Sequence, residues 1–173
     1  VLDCVASGAL WVDMQQLDVN DVVRKIVVLL RPLVDEYLTA HPGVPAPEIV
    51  LELLPELPPT RGDAEQLRQV FLNLALNAVQ AMAEQPHSPS SPVSGGRLTL
   101  STGLRHGGRL GGPTQHLEIR IQDTGPGIDP STMKSLFIPF FTTKQRGTGL
   151  GLPISQRIVE NHGGFIEVRS RPS

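Results

Sequence analysis

The stretch Asp123-Thr-Gly-Pro-Gly-Ile128 decides how this sequence is interpreted. Residues 117–123 alternate apolar and polar side chains, which predicts a β-strand with one buried face. Asp123 shares the register of the inward-facing aliphatic residues, and a carboxylate there is costly unless another group hydrogen-bonds it. Gly125 and Gly127 follow directly and allow a ligand to approach the bare backbone. This combination predicts a pocket for a flat ring that carries an amino group.

Length and composition indicate one globular domain. The chain has 173 residues, 39% of them hydrophobic, and a net charge of −2, which argues against a disordered chain or a general nucleic-acid-binding surface. No apolar run approaches the roughly 18 residues that span a bilayer, and no secretory signal pattern opens the chain. The single cysteine, Cys4, excludes an internal disulfide and suits a reducing cytoplasm. Because the first residue is valine, we expect a fragment of a longer protein.

Apolar periodicity predicts three long helices and four strands. The helices are expected from Asp18 or Asn20 to about 40, from 63 to about 85 and at 150–162, with one short turn near 132–136. The strands are expected at 49–54, 97–102, 117–123 and 165–169, and 103–115 is interpreted as a long hairpin loop. Pro32 is expected to kink or divide the first helix. Asp63 and Gln66 match a capping box at the start of the second.

The second helix carries a polar stripe formed by Asn73, Asn77 and Gln80. Asparagine is unfavourable inside a helix because its side chain competes for backbone hydrogen bonds, so two of them one turn apart require an explanation. Amide oxygens are hard ligands, suited to Mg²⁺ that keeps waters and phosphate oxygens. A solvated helix edge is the alternative interpretation.

The third long helix is preceded by Lys144-Gln-Arg-Gly147-Thr-Gly149-Leu-Gly151-Leu-Pro153, in which glycines recur at every second position. Free backbone N–H groups and the positive end of the helix dipole predict an anion site there. Pro153 suits the first helical turn, and the pattern is not that of a P-loop. A simple glycine-rich loop is the alternative.

Residues 137–144 concentrate three of the five phenylalanines in a loop. Because exposed aromatic side chains are costly, we expect these rings to fold down on a helix or on a bound base. Lys144, at the end of this loop, is placed to reach a phosphate. An ordinary loop anchor is the alternative.

The order of these motifs resembles the ATP-binding catalytic domain of bacterial sensor histidine kinases, in the superfamily that includes gyrase-type and heat-shock chaperone ATPases. The resemblance covers about 62–170. The matching motifs are the N box in Asn73-Leu-Ala-Leu-Asn77-Ala, the first glycine box at 123–128, the F box at 137–144 and the second glycine box at 147–152. His162-Gly-Gly-Phe-Ile-Glu-Val is similar to the closing turn and strand of the family. Four motifs in order are a highly specific signal.

The resemblance implies an α/β fold, a two-layer sandwich in which a mixed, mostly antiparallel sheet packs against three helices (the Bergerat-type ATP-binding fold). Residues 19–173 would form the catalytic domain, and 129–148 would be a mobile lid that resembles the nitrogen-regulatory type. Residues 1–18 would be an N-terminal tail or a linker from a preceding dimerisation domain.

The resemblance also implies ATP and Mg²⁺ as cofactors. Asp123 would bind the adenine amino group, Asn77 would hold the metal, and Asn77 and Lys144 would be the catalytic residues. The other expected nucleotide contacts are Asn73, Gln80, Gly125, Gly127, Ile128, Phe140, Thr143, Gly147, Thr148, Gly149, Leu150, Gly151 and Leu152.

Two departures from the family pattern narrow these expectations. Many members carry a basic residue three positions after the second asparagine, often followed by an aromatic one, whereas this chain has Gln80 and Ala81. Phosphate neutralisation would then depend on Lys144, with Arg146 as a second candidate. None of the five histidines has the phosphoacceptor context, an acid directly after it and a proline later. We therefore expect the acceptor on a separate domain.

The function predicted is donation of the γ-phosphoryl group of ATP to a histidine of that dimerisation domain, with a response regulator downstream. An anti-sigma-type serine kinase of the same fold and a non-catalytic nucleotide-sensing module are the alternatives. The isolated domain is expected to be monomeric and the full-length parent homodimeric. We expect a cytoplasmic location, even in a membrane-anchored parent, without nucleic-acid binding or direct membrane contact.

Overall fold

The computed structural model describes residues 14–40, 42–83, 95–106, 115–144 and 147–171. The helices are α1 (Val19–Ala40), α2 (Ala64–Ala83), α3 (Pro130–Ser135) and α4 (Gly151–Asn161). The strands are β1 (Gln15–Leu17), β2 (Glu48–Leu53), β3 (Thr60–Gly62), β4 (Arg97–His106) and β5 (Gln115–Asp123). None of the helices in this part of the chain combines the length and apolar character that crossing a membrane requires.

A mixed three-stranded sheet with the order β2-β4-β5 forms one layer of the fold. β2 runs parallel to β4, because β3 and α2 form the crossover between them, and β4 pairs with β5 as an antiparallel hairpin. A separate antiparallel ladder joins β1 to β3. The predicted α/β class with a mixed sheet and three long helices is confirmed.

The core lies between the sheet and the helices. Most of its buried side chains come from α1 and α2, and Ile158 contributes from α4. On the sheet side Leu98 and Leu100 of β4 have no exposed surface. The register pairs Leu98 with Asp123, so Asp123 lies on the helix-facing side at the end of the sheet, as predicted.

The helix starts are set by two aspartates. Asp18 precedes α1 and accepts a hydrogen bond from the backbone N–H of Asn20 at 2.8 Å, which favours Asp18 over Asn20 as the cap. Asp63 precedes α2 and accepts from the N–H groups of Glu65 and Gln66 at 3.0 Å each. These bonds satisfy N–H groups that have no partner within the helix.

The predicted capping box at α2 is only half present. The Asp63 N–H donates to His162 Nε2 at 2.9 Å and not to the Gln66 side chain. His162 Nδ1 lies 2.8 Å from the Ile158 carbonyl, so Nδ1 carries the proton and Nε2 accepts. Within the described residues Gln66 Oε1 is buried without a hydrogen-bond partner. The end of α4 thereby replaces Gln66 as the partner of Asp63.

The predicted division of the first helix at Pro32 is wrong, because α1 continues through it. Leu30 and Val34 on either side of the proline are almost fully buried, so the core anchors the helix before and after it. Val28, whose carbonyl loses its helical partner, has a side chain that is 70% exposed. Its carbonyl therefore lies on the side of α1 that water can reach.

The hairpin loop predicted at 103–115 is too long. β4 continues to His106, and Gly103 pairs with Glu118 of β5. The strand tolerates this glycine because it is paired in the middle of a nine-pair ladder. Residues 107–114 lie outside the described part of the chain.

The strand predicted at 165–169 is also wrong, because the structure assigns no strand to residues 165–171. The segment is held beside the sheet mainly by side chains. Glu167 accepts from Arg105 Nη1 at 2.8 Å, and Ser170 Oγ accepts from the Ile128 N–H at 2.7 Å. An alternating pattern cannot distinguish such docking from ladder hydrogen bonds.

The sequence also predicts a short strand or packed tail around Trp11 and Val12, which lie outside the described residues. The short β1, which was not predicted, instead pairs with β3. The boundary between a linker at 1–18 and a domain at 19–173 remains a prediction.

A buried polar ring joins α1 to the sheet. Asn20 is 6% exposed, and its Nδ2 donates to the Leu54 carbonyl at 2.9 Å. The Thr102 hydroxyl donates to Asn20 Oδ1 at 2.7 Å and accepts from the Leu54 N–H at 3.1 Å. All three bonds connect residues at least 34 positions apart.

Asn20→Ala is expected to lower the free energy of unfolding by about 1–3 kcal/mol, because the buried Thr102 hydroxyl loses the acceptor of its proton and the Leu54 carbonyl loses its donor. Urea denaturation measures this change. Asn161→Ala, at the exposed end of α4, is the control and should change stability by less than about 0.5 kcal/mol. An Asn20 variant as stable as this control would contradict the role of the ring.

Candidate nucleotide-binding site

The polar stripe of α2 is the line along which the predicted motifs assemble. Between Asn73 and Ala81 the helix rises about 12 Å. Asn73, Asn77 and Gln80 are each half-buried, and each hydrogen-bonds a residue more than 60 positions away. The alternative of a solvated helix edge is therefore wrong.

At one end of the stripe Asn73 contacts the start of α4. Asn73 Nδ2 donates to the hydroxyl of Ser155, which is 2% exposed, at 3.0 Å. Gly151 lies so close that a Cβ on it would be 2.5 Å from Asn73 Oδ1. A larger residue at the first position of α4 would displace the Asn73 amide, so glycine there lets the two helices meet closely.

In the middle of the stripe two amide oxygens accept hydrogen bonds from one ammonium group. Lys144 Nζ donates to Asn77 Oδ1 at 2.8 Å and to Gln80 Oε1. The predicted lid thus contacts α2 through the lysine that was expected to meet phosphate.

At the other end of the stripe the first glycine box contacts α2. A Cβ on Gly125 would lie 3.6 Å from Ala81 and 2.7 Å from Asp123 Oδ1. Asp123 Oδ1 also accepts from the Gly125 N–H at 2.8 Å, which fixes the carboxylate at the end of β5. Asp123 and the start of α4 therefore lie toward opposite ends of the same stripe.

The sequence predicts that Asp123 faces the core, where an unpaired carboxylate is costly. In the structure Asp123 is exposed, so this cost does not arise. It is the last residue of β5, so its carboxylate opens to solvent where the sheet ends. A ring that entered between this carboxylate and the backbone of the glycine box would have polar contacts at its edge and a bare backbone at its face.

The segment after the first glycine box is held in place at two points. Gly127 has a φ of +81°, which favours glycine, and the Ile128 N–H donates to Ser170. Asp129 caps α3 by accepting from the N–H groups of Ser131 and Thr132. Hydrogen bonds from the side chains of Ser131 and Thr132, together with these backbone bonds, hold the pKa of the Asp129 carboxyl well below its usual range. The short helical turn predicted here is confirmed.

Two of the three F-box rings do not fold down as predicted, whereas Phe137 is half-buried. Phe140 is 70% exposed and Phe141 36% exposed. The Phe140 N–H donates to the Gly149 carbonyl at 3.0 Å, and both residues have a φ of +66°. A Cβ on Gly149 would lie 2.4 Å from the Phe140 carbonyl carbon. This backbone contact turns the Phe140 side chain toward solvent and requires glycine at the facing position.

Lys144 is presented by a compact turn. Its N–H donates to Thr142 Oγ1 at 3.1 Å, and its carbonyl accepts from the Gly147 N–H at 3.2 Å. A Cβ on Gly147 would lie 2.3 Å from Thr142 Oγ1, so the turn closes tightly at that glycine. Arg146, the second candidate for phosphate, lies outside the described residues, and Thr143 is exposed.

The second glycine box ends in an uncapped helix. Leu150 occupies the N-cap of α4 and makes no side-chain hydrogen bond to it, while its own N–H lies 3.4 Å from Thr148 Oγ1. Leu152, in the first turn, is half-buried. The first N–H groups of α4 and the positive end of its dipole suit an anion, and the anion site stays a prediction.

Three contacts at the site were not predicted, those of Thr142, Ser155 and Ser170. Ser155 had a detectable signal, because it lies three positions before the buried Ile158 on the apolar face of α4. A polar residue on that face requires a partner. Thr142 and Ser170 carry no such signal, since polar residues in loops are ordinary.

The donor set fits a hard divalent cation that retains most of its own waters. In the described ranges no group of three or more His, Cys, Asp or Glu side chains could enclose a metal ion. An amide oxygen together with phosphate oxygens and water is a typical environment for Mg²⁺. Asn77 Oδ1 already accepts a hydrogen bond from the positively charged Lys144 ammonium, so a cation can reach this oxygen.

Comparison with known proteins agrees with this geometry. Residues 62–173 match the family described as histidine kinase-, DNA gyrase B-, and HSP90-like ATPase. The sensory histidine kinase/phosphatase NtrB of Azospirillum brasilense is 45% identical over 124 residues, which are 68% of this chain and 29% of that protein. The signal transduction histidine-protein kinase AtoS of Escherichia coli (strain K12) is 39% identical over 159 residues, 91% of this chain and 22% of that protein.

A solved structure, that of full-length ShkA in complex with AMPPNP, matches with a TM-score of 0.65 and 27% identity. The match covers 91% of this chain and 28% of that one, so the chain spans less than a third of each of these three relatives. The family match covers more than half of this chain and includes all four motifs. The chain therefore belongs to the histidine kinase-, DNA gyrase B- and HSP90-like ATPase family, as an ATPase domain of the histidine kinase type.

Proposed function

We propose that this chain binds ATP with Mg²⁺ and donates the γ-phosphoryl group to a histidine on a separate dimerisation domain. The observation that carries this proposal is the alignment of the motifs along α2. Asp123 lies toward the Ala81 end of the polar stripe, and the uncapped start of α4 lies at the Asn73 end. Lys144 and Asn77 meet between them.

In this arrangement each end of the nucleotide has its own partner. The Asp123 carboxylate accepts a hydrogen bond from the adenine amino group, while Gly125, Gly127 and Ile128 line the base. The backbone at 147–152 donates N–H groups to the phosphates, with Asn73, Gln80, Phe140 and Thr143 at the margin of the site. Lys144 places its ammonium against the γ-phosphoryl group.

Catalysis then consists of positioning and charge neutralisation. Asn77 would hold the Mg²⁺ ion, which when bound neutralises the charge that develops on the phosphate oxygens. Lys144 adds a second positive charge, and the N–H groups of α4 hold the phosphate chain in line with an incoming imidazole. No described side chain needs to form a covalent bond with the phosphoryl group.

Because none of the five histidines has the phosphoacceptor context, the phosphoryl group requires an acceptor on a partner domain. We propose a dimerisation domain of the parent kinase as the direct partner, a homodimeric parent, a response regulator downstream and a cytoplasmic location. The names of NtrB and AtoS, which are both described as histidine kinases, support this assignment over an anti-sigma-type serine kinase. The intact Asn77, Asp123 and glycine boxes speak against a non-catalytic nucleotide-sensing module.

Phosphotransfer to a supplied acceptor tests the proposal. Incubated alone with labelled ATP, the chain should bind nucleotide, remain monomeric and take up almost no label. Added to the separate dimerisation domain of its parent kinase, it should label that domain slowly, because a covalent tether normally provides the effective concentration. The label should be acid-labile and base-stable, as expected for phosphohistidine.

Acid-stable label on a serine would support the serine-kinase alternative instead. Nucleotide binding without any transfer to the acceptor would favour the sensing module. An acceptor domain whose phosphorylatable histidine is replaced by alanine is the matched control, and it should remain unlabelled.

A further inference from the structure

The side chain of Lys144 bridges the predicted lid and α2 before any nucleotide is bound. Its ammonium donates to Asn77 Oδ1 at 2.8 Å and to Gln80 Oε1. These acceptors are 67 and 64 residues away in sequence and lie about one turn apart on the same helix face. Both acceptors are neutral amide oxygens, so neither of these bonds is an ion pair.

The backbone on both sides of Lys144 supports this placement. The Lys144 N–H donates to Thr142 Oγ1, and the Lys144 carbonyl accepts from the Gly147 N–H. Farther out, the Phe140 N–H and the Gly149 carbonyl bring the two ends of the loop together. These backbone hydrogen bonds therefore support the position from which Lys144 reaches α2.

The same oxygen of Asn77 cannot easily serve two cations at once. Mg²⁺ and an ammonium group would repel each other across it unless phosphate charge lies between them. Binding of Mg²⁺ with a nucleotide therefore favours transfer of the ammonium from Asn77 and Gln80 to the phosphates.

We propose that Gln80 is a positioning residue that, together with Asn77, holds Lys144 in the nucleotide-free site, and that Mg²⁺·ATP releases it. This inference rests on the proposed function for the releasing ligand. It explains the departure noted at this position: a basic side chain would repel Lys144, whereas the Gln80 amide oxygen accepts from it. Gln80 therefore positions the Lys144 ammonium, whereas a basic residue at position 80 would contact the phosphates directly.

Hydrogen exchange without nucleotide tests the holding step. Gln80→Met keeps the side-chain length but removes the acceptor, and it should accelerate exchange in peptides that contain residues 140–144 about tenfold. Lys144→Met should have a similar effect. Lys144→Met also removes the bond to Asn77, so the contact that Gln80→Met breaks is already absent and the double variant should exchange no faster than Lys144→Met alone. Gln69→Met, on an exposed position of α2, is the matched control and should resemble the wild type.

Saturation with Mg²⁺ and a non-hydrolysable ATP analogue tests the release step. The difference between Gln80→Met and the wild type should disappear, since Lys144 no longer uses Gln80. Wild-type exchange in nucleotide-free Gln80→Met, or additive effects in the double variant, would overturn the proposal. If Gln80→Met still exchanges faster than the wild type under saturation, the release step is overturned.

Failure of the proposed ATP binding has a separate signature. Calorimetry would then detect no nucleotide binding to the wild type, which overturns the release step as well. The three nucleotide-free variants would still report whether Gln80 holds Lys144, because that measurement requires no ligand.

Discussion

Asn77→Ala is expected to reduce phosphotransfer to the acceptor domain by at least about a hundredfold while adenosine binding stays nearly unchanged. The reason is the position of Asn77 on α2. It lies in the middle of the polar stripe, where its Oδ1 already accepts from the Lys144 ammonium. The carboxylate proposed to bind the base, Asp123, is fixed from β5 and Gly125 and makes no use of Asn77.

The measurement combines two assays. Transfer of labelled phosphate to the supplied acceptor domain gives the rate, and calorimetry with adenosine gives the affinity of the base end alone. Asn77→Asp is a second variant of the same shape, and its added negative charge near the phosphates should also abolish transfer. Asn161→Ala, at the exposed end of α4, should transfer phosphate at the wild-type rate.

Transfer at the wild-type rate by Asn77→Ala would show that Asn77 is not the metal ligand. Loss of adenosine affinity would instead indicate that the substitution disturbs α2 as a whole. Urea denaturation of the same variant distinguishes this case, because a local defect at a half-buried surface position changes stability little.

Local patterns predicted the parts of the site that depend on neighbouring residues. Alternation over 117–123 placed Asp123 on the helix side, and the register with Leu98 confirms it. Asp63 could be recognised as a cap because its oxygen reaches N–H groups two and three residues ahead. Of the two glycines in the first glycine box, which permit unusual backbone angles, Gly127 has a positive φ and Gly125 does not.

Contacts between distant segments could not be predicted in this way. The Asp63 N–H bonds His162, 99 residues away, which no capping-box pattern contains. Gln80 was noticed only as a missing basic residue, although its amide oxygen accepts from Lys144, 64 residues away. The exposure of Phe140 follows from a backbone bond to Gly149, which no rule about aromatic burial anticipates. In each case tertiary geometry decided between partners that the local sequence left open.

Asp123→Asn is expected to weaken ATP binding by about 1–3 kcal/mol, roughly fivefold to 150-fold in Kd, which is the effect of removing the charge from one hydrogen bond. The substitution is well suited to the site, because the amide oxygen of asparagine can still accept from the Gly125 N–H that the carboxylate now binds at 2.8 Å. The turn into the first glycine box is thereby kept. The loss then reports on the ligand and not on the backbone.

The same carboxylate should discriminate between purines. Adenine presents an amino group at the position where guanine presents a carbonyl oxygen, which would face the negative charge of Asp123. GTP should therefore bind the wild type poorly. Asp123→Asn should narrow the difference, because an amide can also donate a hydrogen bond to the guanine carbonyl.

Calorimetry with ATP and GTP on both proteins measures these affinities. Asp35→Asn removes one carboxylate charge from the exposed side of α1, outside the site, and serves as the control for the change in net charge. It should leave both affinities unchanged. Comparable affinities of the wild type for ATP and GTP, or an ATP affinity of Asp123→Asn equal to that of Asp35→Asn, would refute the assignment of Asp123 to the adenine amino group. The stripe on α2 would then have to bind its ligand from the phosphate end alone.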